Sequence, residues 1–424
     1  MLDRSLYGNR TIFHIDVNSA FLSWQAVTLL EGGHSQDIRL VPSLVGGDEA
    51  SRRGIVLASS LPAKQLGIRT GEPLFQARRK CPQVLIYPPD YDMFLRRSQQ
   101  LVRFLYQFSP LVEPFSIDEC FLDYTGCQGL FGSPEEGAQR IRQGIRQELG
   151  FTVNVGVGPN KLLAKMASDF EKPDRVHTLW PEEIAEKMWP LPVRELFMVG
   201  HASAKRLQGM GIRTIGQLAA TSCSILESHF GRHGRLMWQY ANGLDATRVS
   251  SSHPRMKEIS NSTTTPQDLY TLEEVSKTLL ALCQNVSSRL RKQRRVATLA
   301  TITLRRNDFS TLSRQCRIPA SDCSRTLFHH CLRLLEQLWD GSPLRHMGVS
   351  FGGLLDASTW QPSLLEDEDE QRLRQLDRAM DSIHSQYGDT SLCPASVLDV
   401  PYLKSKSRRF HEKAITRMGG KDSQ

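Results

Sequence analysis

The sequence predicts an α+β protein built from several domains. Its 424 residues exceed the size of one ordinary domain, and 40% of them are apolar, enough for more than one core. Residues 1–175 alternate short apolar strands with amphipathic helices. A purely helical stretch follows, and a last unit mixes strands and helices again.

The first part opens with an apolar strand at 11–17 and a helix at 20–31, which Asn18 or Ser19 can cap and Gly32-Gly33 ends. The stretch 111–126 has apolar residues on either side of two acids, which indicates a strand or a hairpin. The other predicted elements are strands at 54–59 and 151–158, and helices at 91–108, 134–149 and 160–174.

The second part, 176–248, consists of short helices with glycine turns. The last unit has the order strand, helix, strand, helix, strand. A polar stretch at 249–266 leads into its first strand, and its other elements are helix 272–292, strand 296–306, helix 321–339 and strand 346–354. After residue 356 the apolar content falls, which predicts a mobile tail with one helix at 369–386.

Charge and cysteine content narrow the class of protein. The formal net charge of +8 favours an acidic partner, of which nucleic acid is the most obvious. Nine cysteines occur without the spacing of a zinc site, which fits reduced thiols in the cytosol. There is no apolar signal segment and no apolar run long enough for a membrane span, so we expect no membrane association.

Three carboxylates stand in apolar surroundings, Asp16 at the end of the first strand and the adjacent pair Asp118 and Glu119. A buried carboxylate needs a partner or a metal ion. Neighbouring strand side chains point to opposite faces, so the pair can share one centre only at a strand end, bulge or turn. Around two Mg²⁺ ions, three such groups suit phosphoryl transfer. The alternative is that Asp16 caps the next helix and the pair binds arginine.

Five motifs in a fixed order resemble the Y-family DNA polymerases, the bacterial polymerase IV and V group above all. They are HIDVNSAF, SIDE, GVGPNKLLAKMASDFEKPD, VGHASAKRLQGMGIRTIGQL and EISNSTTTPQDL. The resemblance implies a right-hand polymerase that adds deoxynucleotides to the 3′ end of a primer and carries out translesion synthesis past damaged template. Its domains would be a palm (1–30 and 86–175), fingers (31–85), a helix-hairpin-helix-like thumb (176–248), a little finger (257–355) and a tail (356–424) with a clamp-binding motif.

The same resemblance implies roles for residues at the front of the chain. Asp16, Asp118, Glu119 and the Val17 carbonyl would bind two Mg²⁺ ions, with Mn²⁺ as a substitute. Phe21 would be the aromatic steric gate that excludes a 2′-OH. In the triphosphate clamp, Lys161 and Lys64 would bind phosphate. Here the fingers motif departs from the family: Leu61 stands where tyrosine is common and Lys64 where arginine is common.

The implied partners are primer-template DNA, dNTPs and the replicative sliding clamp, bound by a monomer in the cytoplasm near the nucleoid. The hairpin turn Gly200-His201-Ala202 has alanine in place of a glycine, and with Lys205 it would bind the DNA backbone. Basic residues of the little finger would follow the phosphates: Arg289, Arg291, Lys292, Arg294 and Arg305. QPSLL would dock on the clamp through Gln361, Leu364 and Leu365.

Two other functions are compatible with parts of the chain. A catalytically weak Y-family adaptor in a mutagenic complex would lack the metal-binding acids, which this chain retains. A repair protein of another class that uses only its helix-hairpin-helix would not need the palm-like first part.

Overall fold

The computed structural model describes residues 10–48, 54–251, 256–359, 368–388, 391–398 and 400. Its strands are β1 (Ile12–Val17), β2 (Ser43–Gly46), β3 (Val56–Ser59), β4 (Leu85–Tyr87), β5 (Val112–Pro114), β6 (Glu119–Asp123), β7 (Val153–Gly158), β8 (Val176–Thr178), β9 (Glu258–Leu269), β10 (Arg295–Arg306), β11 (Thr311–Ser321), β12 (Leu344–Gly352) and β13 (Leu355–Asp356).

Helices connect these strands and also form a unit of their own. They are α1 (Ala20–Glu31), α2 (Leu61–Gln65), α3 (Leu74–Lys80), α4 (Tyr91–Leu105), α5 (Gln128–Phe131), α6 (Pro134–Gly144), α7 (Lys161–Ser168), α8 (His201–Gly209), α9 (Ile215–Ala220), α10 (Cys223–Phe230), α11 (Arg232–Ala241), α12 (Leu272–Lys292), α13 (Ser324–Leu338) and α14 (Glu368–Tyr387). The predicted α+β class is confirmed.

The first sheet has the strand order β5-β6-β1-β7-β8, with β1 at its centre. Side chains of β1 alternate between the two faces. Phe13, Ile15 and Val17 pack into the core beneath α1 and α4, whereas His14 and Asp16 face the side on which α7 lies. The antiparallel pairing of β5 with β6 shows that the stretch 111–126 is a hairpin.

Helix α7 lies against β1 and β7 because β7 presents glycines beneath it. A Cβ atom on Gly156 would lie 1.9 Å from the carbonyl oxygen of Ala164 and 2.4 Å from the amide nitrogen of Ser168. Any larger residue would therefore push α7 away from the sheet. This close approach brings Lys165, and the loop that follows the helix, over the face that carries Asp16.

A small second unit is inserted between α1 and α4. Its sheet has the order β3-β2-β4, with β2 and β4 parallel, and its core is formed by Leu44, Val56, Ala63, Ile68, Leu74, Ala77 and Val84. The sequence predicted only the strand at 54–59. Strands β2 and β4 were missed because each is too short to show a period.

The helical unit α8–α11 shares a core with α7. Leu162, Leu163 and Met166 of α7 pack with residues of the helical unit such as Leu207 and Leu226. The unit therefore rests on the first sheet instead of standing apart from it.

In the C-terminal unit, α12 and α13 cover one face of a sheet with the order β11-β10-β12-β9. The apolar residues predicted to line α12 are all fully buried: Val275, Leu279, Leu282, Val286 and Leu290. The predicted strand order was wrong in one respect, since β11 adds an edge strand. It was missed because Arg314 interrupts the alternation of Leu312, Cys316 and Ile318, and the central residues Arg314 and Gln315 are exposed.

The helix predicted in the tail is confirmed as α14. Arg291 of α12 joins α14 to the C-terminal unit: its guanidinium lies 2.6 Å from Asp381 and 3.0 Å from Asp377. Asp377 also accepts a hydrogen bond from the Ser324 amide at the start of α13, at 2.8 Å. Arg291 is thus committed to a buried intramolecular network, which corrects its predicted role as a contact to DNA.

We expect Arg291→Ala to destabilise the C-terminal unit by about 3 kcal/mol, because it leaves the buried Asp377 and the partly buried Asp381 carboxylates without their cation. Chemical denaturation and proteolysis near α14 would measure the loss. Arg305→Ala is the matched control: Arg305 is exposed, and the structure gives it one side-chain hydrogen bond, to Thr311. Equal stability of the two variants would contradict the role given to Arg291.

Candidate active site

The three acids lie at one end of the first sheet. Asp16 is directly opposite Glu119 across the β1–β6 pair. Asp118 is the last residue of the turn before β6, and its carbonyl accepts a hydrogen bond from the Val17 amide at 3.0 Å. Because Asp118 precedes the strand, the rule of alternating faces does not separate it from Glu119. The turn thus provides the geometry that two adjacent acids need.

A cleft of about 400 Å³ opens beside these acids, within the size range of ligand pockets. The first sheet and α1 form one wall, and the inserted unit forms the other. It is lined by Asp16, Val17, Asn18, Ser19, Ala20, Phe21, Leu57, Ala58, Ser59, Leu61, Lys64, Thr70, Asp118, Lys172 and Pro173. Glu119 lies behind this lining.

Basic groups surround the carboxylates. The Lys172 ammonium pairs with Asp16, and it lies 2.8 Å from Asp169. Glu119 receives a hydrogen bond from Lys165 at 3.0 Å, and His14 Nε2 lies 3.4 Å away. Burial alone would raise the pKa of Glu119, but His14 and Lys165 outweigh it and lower that pKa to about 2. Glu119 is therefore ionised at neutral pH.

Asp118 has the opposite electrostatic balance. Burial raises its pKa above the usual value, and the charges of Asp16 and Glu119 add to this, while a 2.6 Å hydrogen bond from Ser116 opposes it. No lysine pairs with Asp118 among the described contacts. A cation in the cleft would relieve this accumulation of negative charge.

The donor set suits a hard divalent cation, since carboxylate oxygens are its preferred ligands. Among the residues that the structure describes, no three acidic, histidine or cysteine side chains converge on one point as they stand. The reason is that Asp16 and Glu119 each face a lysine. The three acids offer the oxygen ligands that such a cation prefers, with Lys172 and Lys165 as the present partners of Asp16 and Glu119.

Phe21 is held against α4. Its ring stacks on Phe94, with 4.5 Å between the centroids and 17° between the planes, and Tyr91 meets it edge-on at 6.3 Å. The ring lines the cleft and also a second groove of about 750 Å³ that runs to the C-terminal sheet. A ring fixed in this way presents a rigid surface to whatever occupies the cleft.

Lys64 faces the acids from the inserted unit. Its ammonium lies 2.8 Å from the Ser19 hydroxyl, and its pKa is lowered by burial and by the charge of Lys172. Ser19 has a left-handed backbone and its side chain does not cap α1, contrary to one predicted alternative. Two ammonium groups that raise the local positive potential together favour an anion between them.

Comparisons with known proteins agree over most of the chain. Residues 15–169 match the impB/mucB/samB family, 256–364 match the C-terminal domain of that family, and 194–245 match the thumb domain of DNA polymerase-iota. DNA polymerase IV of Clostridium acetobutylicum is 43% identical over 92% of this chain and 99% of its own. The chain belongs to the Y family of DNA polymerases.

Other relatives and the fold agree with this membership. DNA polymerase IV of Moorella thermoacetica is 39% identical over 89% of this chain and 94% of its own. A solved chimera of the Y-family polymerases Dbh and Dpo4 has a TM-score of 0.69 at 21% identity, and covers 81% of this chain and 99% of its own. The predicted right-hand fold is confirmed, and this Y-family polymerase is a DNA-directed DNA polymerase of the translesion kind.

That activity has primer-template DNA and dNTPs as its substrates, and Y-family DNA polymerases use divalent metal ions. The three acids therefore match the chemistry of the family. Along the described part of the chain, none of the helices has the length and apolarity that a membrane span requires.

One predicted phosphate ligand of the polymerase is misplaced. Lys161 does not line the cleft; its ammonium lies 2.7 Å from Glu113 and 4.9 Å from the centre of the Phe121 ring. The lysine that does line the cleft is Lys172, in the EKPD end of the same motif. Only the fold distinguishes the two lysines.

The polymerase has an open sheet face in its C-terminal unit that carries mainly neutral hydroxyl groups. By strand register they include Ser260, Ser262, Thr264, Thr301, Thr303, Ser313 and Ser350. Arg305 is exposed on the same face, and Lys292 and Arg294 are exposed at the end of α12. Arg289 borders the groove beside Phe21. The sequence did not predict this polar face, because serine and threonine side chains add no charge to the pattern.

The remaining predictions concern contacts of the helical unit with DNA and of the tail with the sliding clamp. Gly200 precedes α8, and Lys205 is exposed on that helix, where both are open to solvent. Gln361, Leu364 and Leu365 lie outside the described residues.

Proposed function

We propose that dNTP addition takes place in the cleft between the acids and the two lysines. Asp16, Asp118, Glu119 and the Val17 carbonyl would hold two Mg²⁺ ions, with Mn²⁺ as a substitute. The observation that carries this proposal is the arrangement itself: carboxylates on one wall, Lys64 and Lys172 beside them, and a fixed aromatic ring within one cleft of about 400 Å³.

Each group of the cleft has a distinct task. Lys64 and Lys172 bind the triphosphate, and Phe21 lies against the sugar. When bound, the metal ions lower the pKa of the primer hydroxyl and neutralise the leaving pyrophosphate. Asp16 and Asp118 direct their oxygens into the cleft, whereas Lys165 and His14 keep Glu119 ionised beside them.

Primer extension with Mg²⁺, on an intact template and on one with a single lesion, tests this function. Extension of both, with a partial pause at the lesion, is the expected result. DNA binding without extension on either template would favour the adaptor function instead.

We expect Lys64→Ala to raise the KM for dNTP about tenfold, because a charge-assisted hydrogen bond to phosphate contributes about 1.5 kcal/mol or more. Lys64→Arg should restore or improve affinity through its two-pronged guanidinium. Steady-state kinetics at saturating DNA would measure both. Lys80→Ala is the control, since that lysine of the same unit bonds Gly67 and Glu72 outside the cleft. An unchanged KM in Lys64→Ala would exclude Lys64 from phosphate binding.

For DNA, we propose that the open face of the C-terminal sheet follows the duplex across the groove from Phe21. Its hydroxyl groups and Arg289 would bind phosphate and sugar without reading bases, and Arg305, Lys292 and Arg294 would add charge. Gly200 and Lys205 would bind the backbone of the duplex from α8. Backbone recognition of this kind suits an enzyme that must accept many sequences.

We further propose that the polymerase is a cytoplasmic, nucleoid-associated monomer that reaches the primer end through the sliding clamp. The support is the sequence QPSLL, which follows the C-terminal unit directly. Deletion of 361–365 should abolish stimulation by the clamp in primer extension and leave basal extension intact. Deletion of the same length at 401–405 is the control. Stimulation that persists in the first deletion would place the clamp contact elsewhere.

A further inference from the structure

Lys172 lies in a loop that the fold holds at both ends. The loop runs from Asp169 to Arg175, between α7 and β8, and it carries Lys172 and Pro173 to the rim of the cleft. A loop that only ran over the surface would let a lysine side chain sample many positions. Here, two side-chain amides bind the backbone on either side of Lys172.

The first amide is that of Asn154 in β7, which is completely buried. Its Nδ2 donates to the carbonyl of Ser168 at 3.0 Å and to that of Glu171 at 2.6 Å. Glu171 directly precedes Lys172. Asn154 is also the strand partner of Asp16, so this amide joins the loop to the strand position beside the catalytic acid.

The second amide is that of Asn18, which follows the first strand. Its Nδ2 donates to Asn154 Oδ1 at 3.1 Å, and its Oδ1 accepts from the Asp174 amide at 2.9 Å. Asp174 has a left-handed backbone with φ of 59°, and its carboxylate is bound by Arg142 at 2.8 Å and Arg146 at 3.1 Å. The far side of the loop is thereby fixed as well.

We infer that Asn154, acting with Asn18, is a positioning residue that holds Lys172 at the triphosphate site. This inference rests on the proposed role of Lys172 in phosphate binding. A fully buried amide that donates to the last carbonyl of α7 and to the Glu171 carbonyl in the loop stabilises one backbone path for the loop. With that path fixed, the ammonium meets the phosphates without first losing conformational freedom, which is the gain that preorganisation provides.

The test is a double-mutant cycle on nucleotide binding. The variants are Asn154→Ala, Lys172→Ala and the double variant, each bound to a primer ended by a dideoxynucleotide, so that no chemistry occurs. Fluorescence titration with the next dNTP gives the dissociation constant. We expect each single change to weaken binding about tenfold, and the double variant to be no weaker than Lys172→Ala alone.

The outcomes separate this inference from the proposed function. If Lys172→Ala binds dNTP like the wild type, the proposed role of Lys172 fails. Suppose that Lys172→Ala weakens dNTP binding. The positioning role is then overturned if Asn154→Ala leaves dNTP affinity unchanged, or if the double variant shows the product of the two single losses. If Asn154 served only the stability of the fold, the losses of dNTP affinity in the two single variants would multiply in the double variant.

Two further variants guard against a failure to fold. Asn18 is less buried than Asn154. Asn18→Ala should therefore weaken dNTP binding by a smaller factor, and this effect should also disappear when Lys172 is replaced by alanine. Asn242→Ala in the helical unit is the matched control, since it removes a buried amide that donates to the Trp238 carbonyl at 2.9 Å, far along the chain from the cleft. It should lower stability and leave dNTP affinity unchanged; a loss of affinity there would contradict the specific role of Asn154.

Discussion

Asp118→Ala is expected to lower the rate of primer extension by at least about 10³-fold at saturating dNTP and Mg²⁺. Asp118 lines the cleft, and no described lysine pairs with it, so a cation that binds its oxygens has no ammonium group to displace. Its removal takes away a ligand for charge that develops during the reaction itself. The loss should therefore appear in kcat more than in the KM for dNTP.

The control for this variant is Asp123→Ala, at the far end of β6, the strand that follows Asp118. The Asp123 carboxylate accepts a hydrogen bond from the Thr125 amide at 3.0 Å and lies outside the cleft. DNA affinity should be the same in both variants. Asp118→Asn, which keeps the shape but not the charge, should be nearly as inactive as the alanine variant. Substantial extension by Asp118→Ala would refute the two-metal site on these acids.

Phe21→Ala is expected to reduce discrimination against ribonucleotides by about 10²-fold or more, because a hydroxyl is excluded here by shape. The ring cannot retreat, since Phe94 stacks behind it at 4.5 Å and Tyr91 closes its edge. If the sugar lies against the ring as proposed, removal of the ring would open space beside its 2′ position. The measurement is the ratio of kcat/KM for a dNTP and for the matching rNTP on the same primer.

Phe75→Ala provides the comparison, since Phe75 is an exposed phenylalanine of the inserted unit, outside the cleft. Its discrimination should equal that of the wild type. If Phe21→Ala instead lowers stability and leaves the ratio unchanged, the ring is a core residue and not a gate. Phe21 packs against the main core, so stability must be measured in parallel.

Local patterns determined much of the fold. Helix α12 was predicted at its observed bounds because its buried leucines and valines repeat with the helical period over many turns. The hairpin of β5 and β6 and the position of Asp16 at a strand end follow from short apolar runs of the same kind. Strands β2, β4 and β11 carry no such period, because they are short or lie at a sheet edge, and they were missed.

Tertiary structure decided which partner each charged side chain has. Nothing local distinguishes Lys161 from Lys172, or Arg291 from Arg305. Lys161 is bound by Glu113 and Arg291 by Asp377 and Asp381, partners that lie 48 to 90 positions away in the chain. A cation belongs to a site or to an ion pair according to which acids the fold brings near it.

By itself, the sequence determined the class of fold, the family and which three acids are the candidates for the site. Each of these follows from a local residue pattern or from the order of the motifs. Only the tertiary structure decided that Lys172 and not Lys161 faces the cleft, and that Glu119 is held by Lys165. Their common physical reason is that α7 can lie on β7 only where Gly156 leaves room, and this contact sets which groups share the space around Asp16.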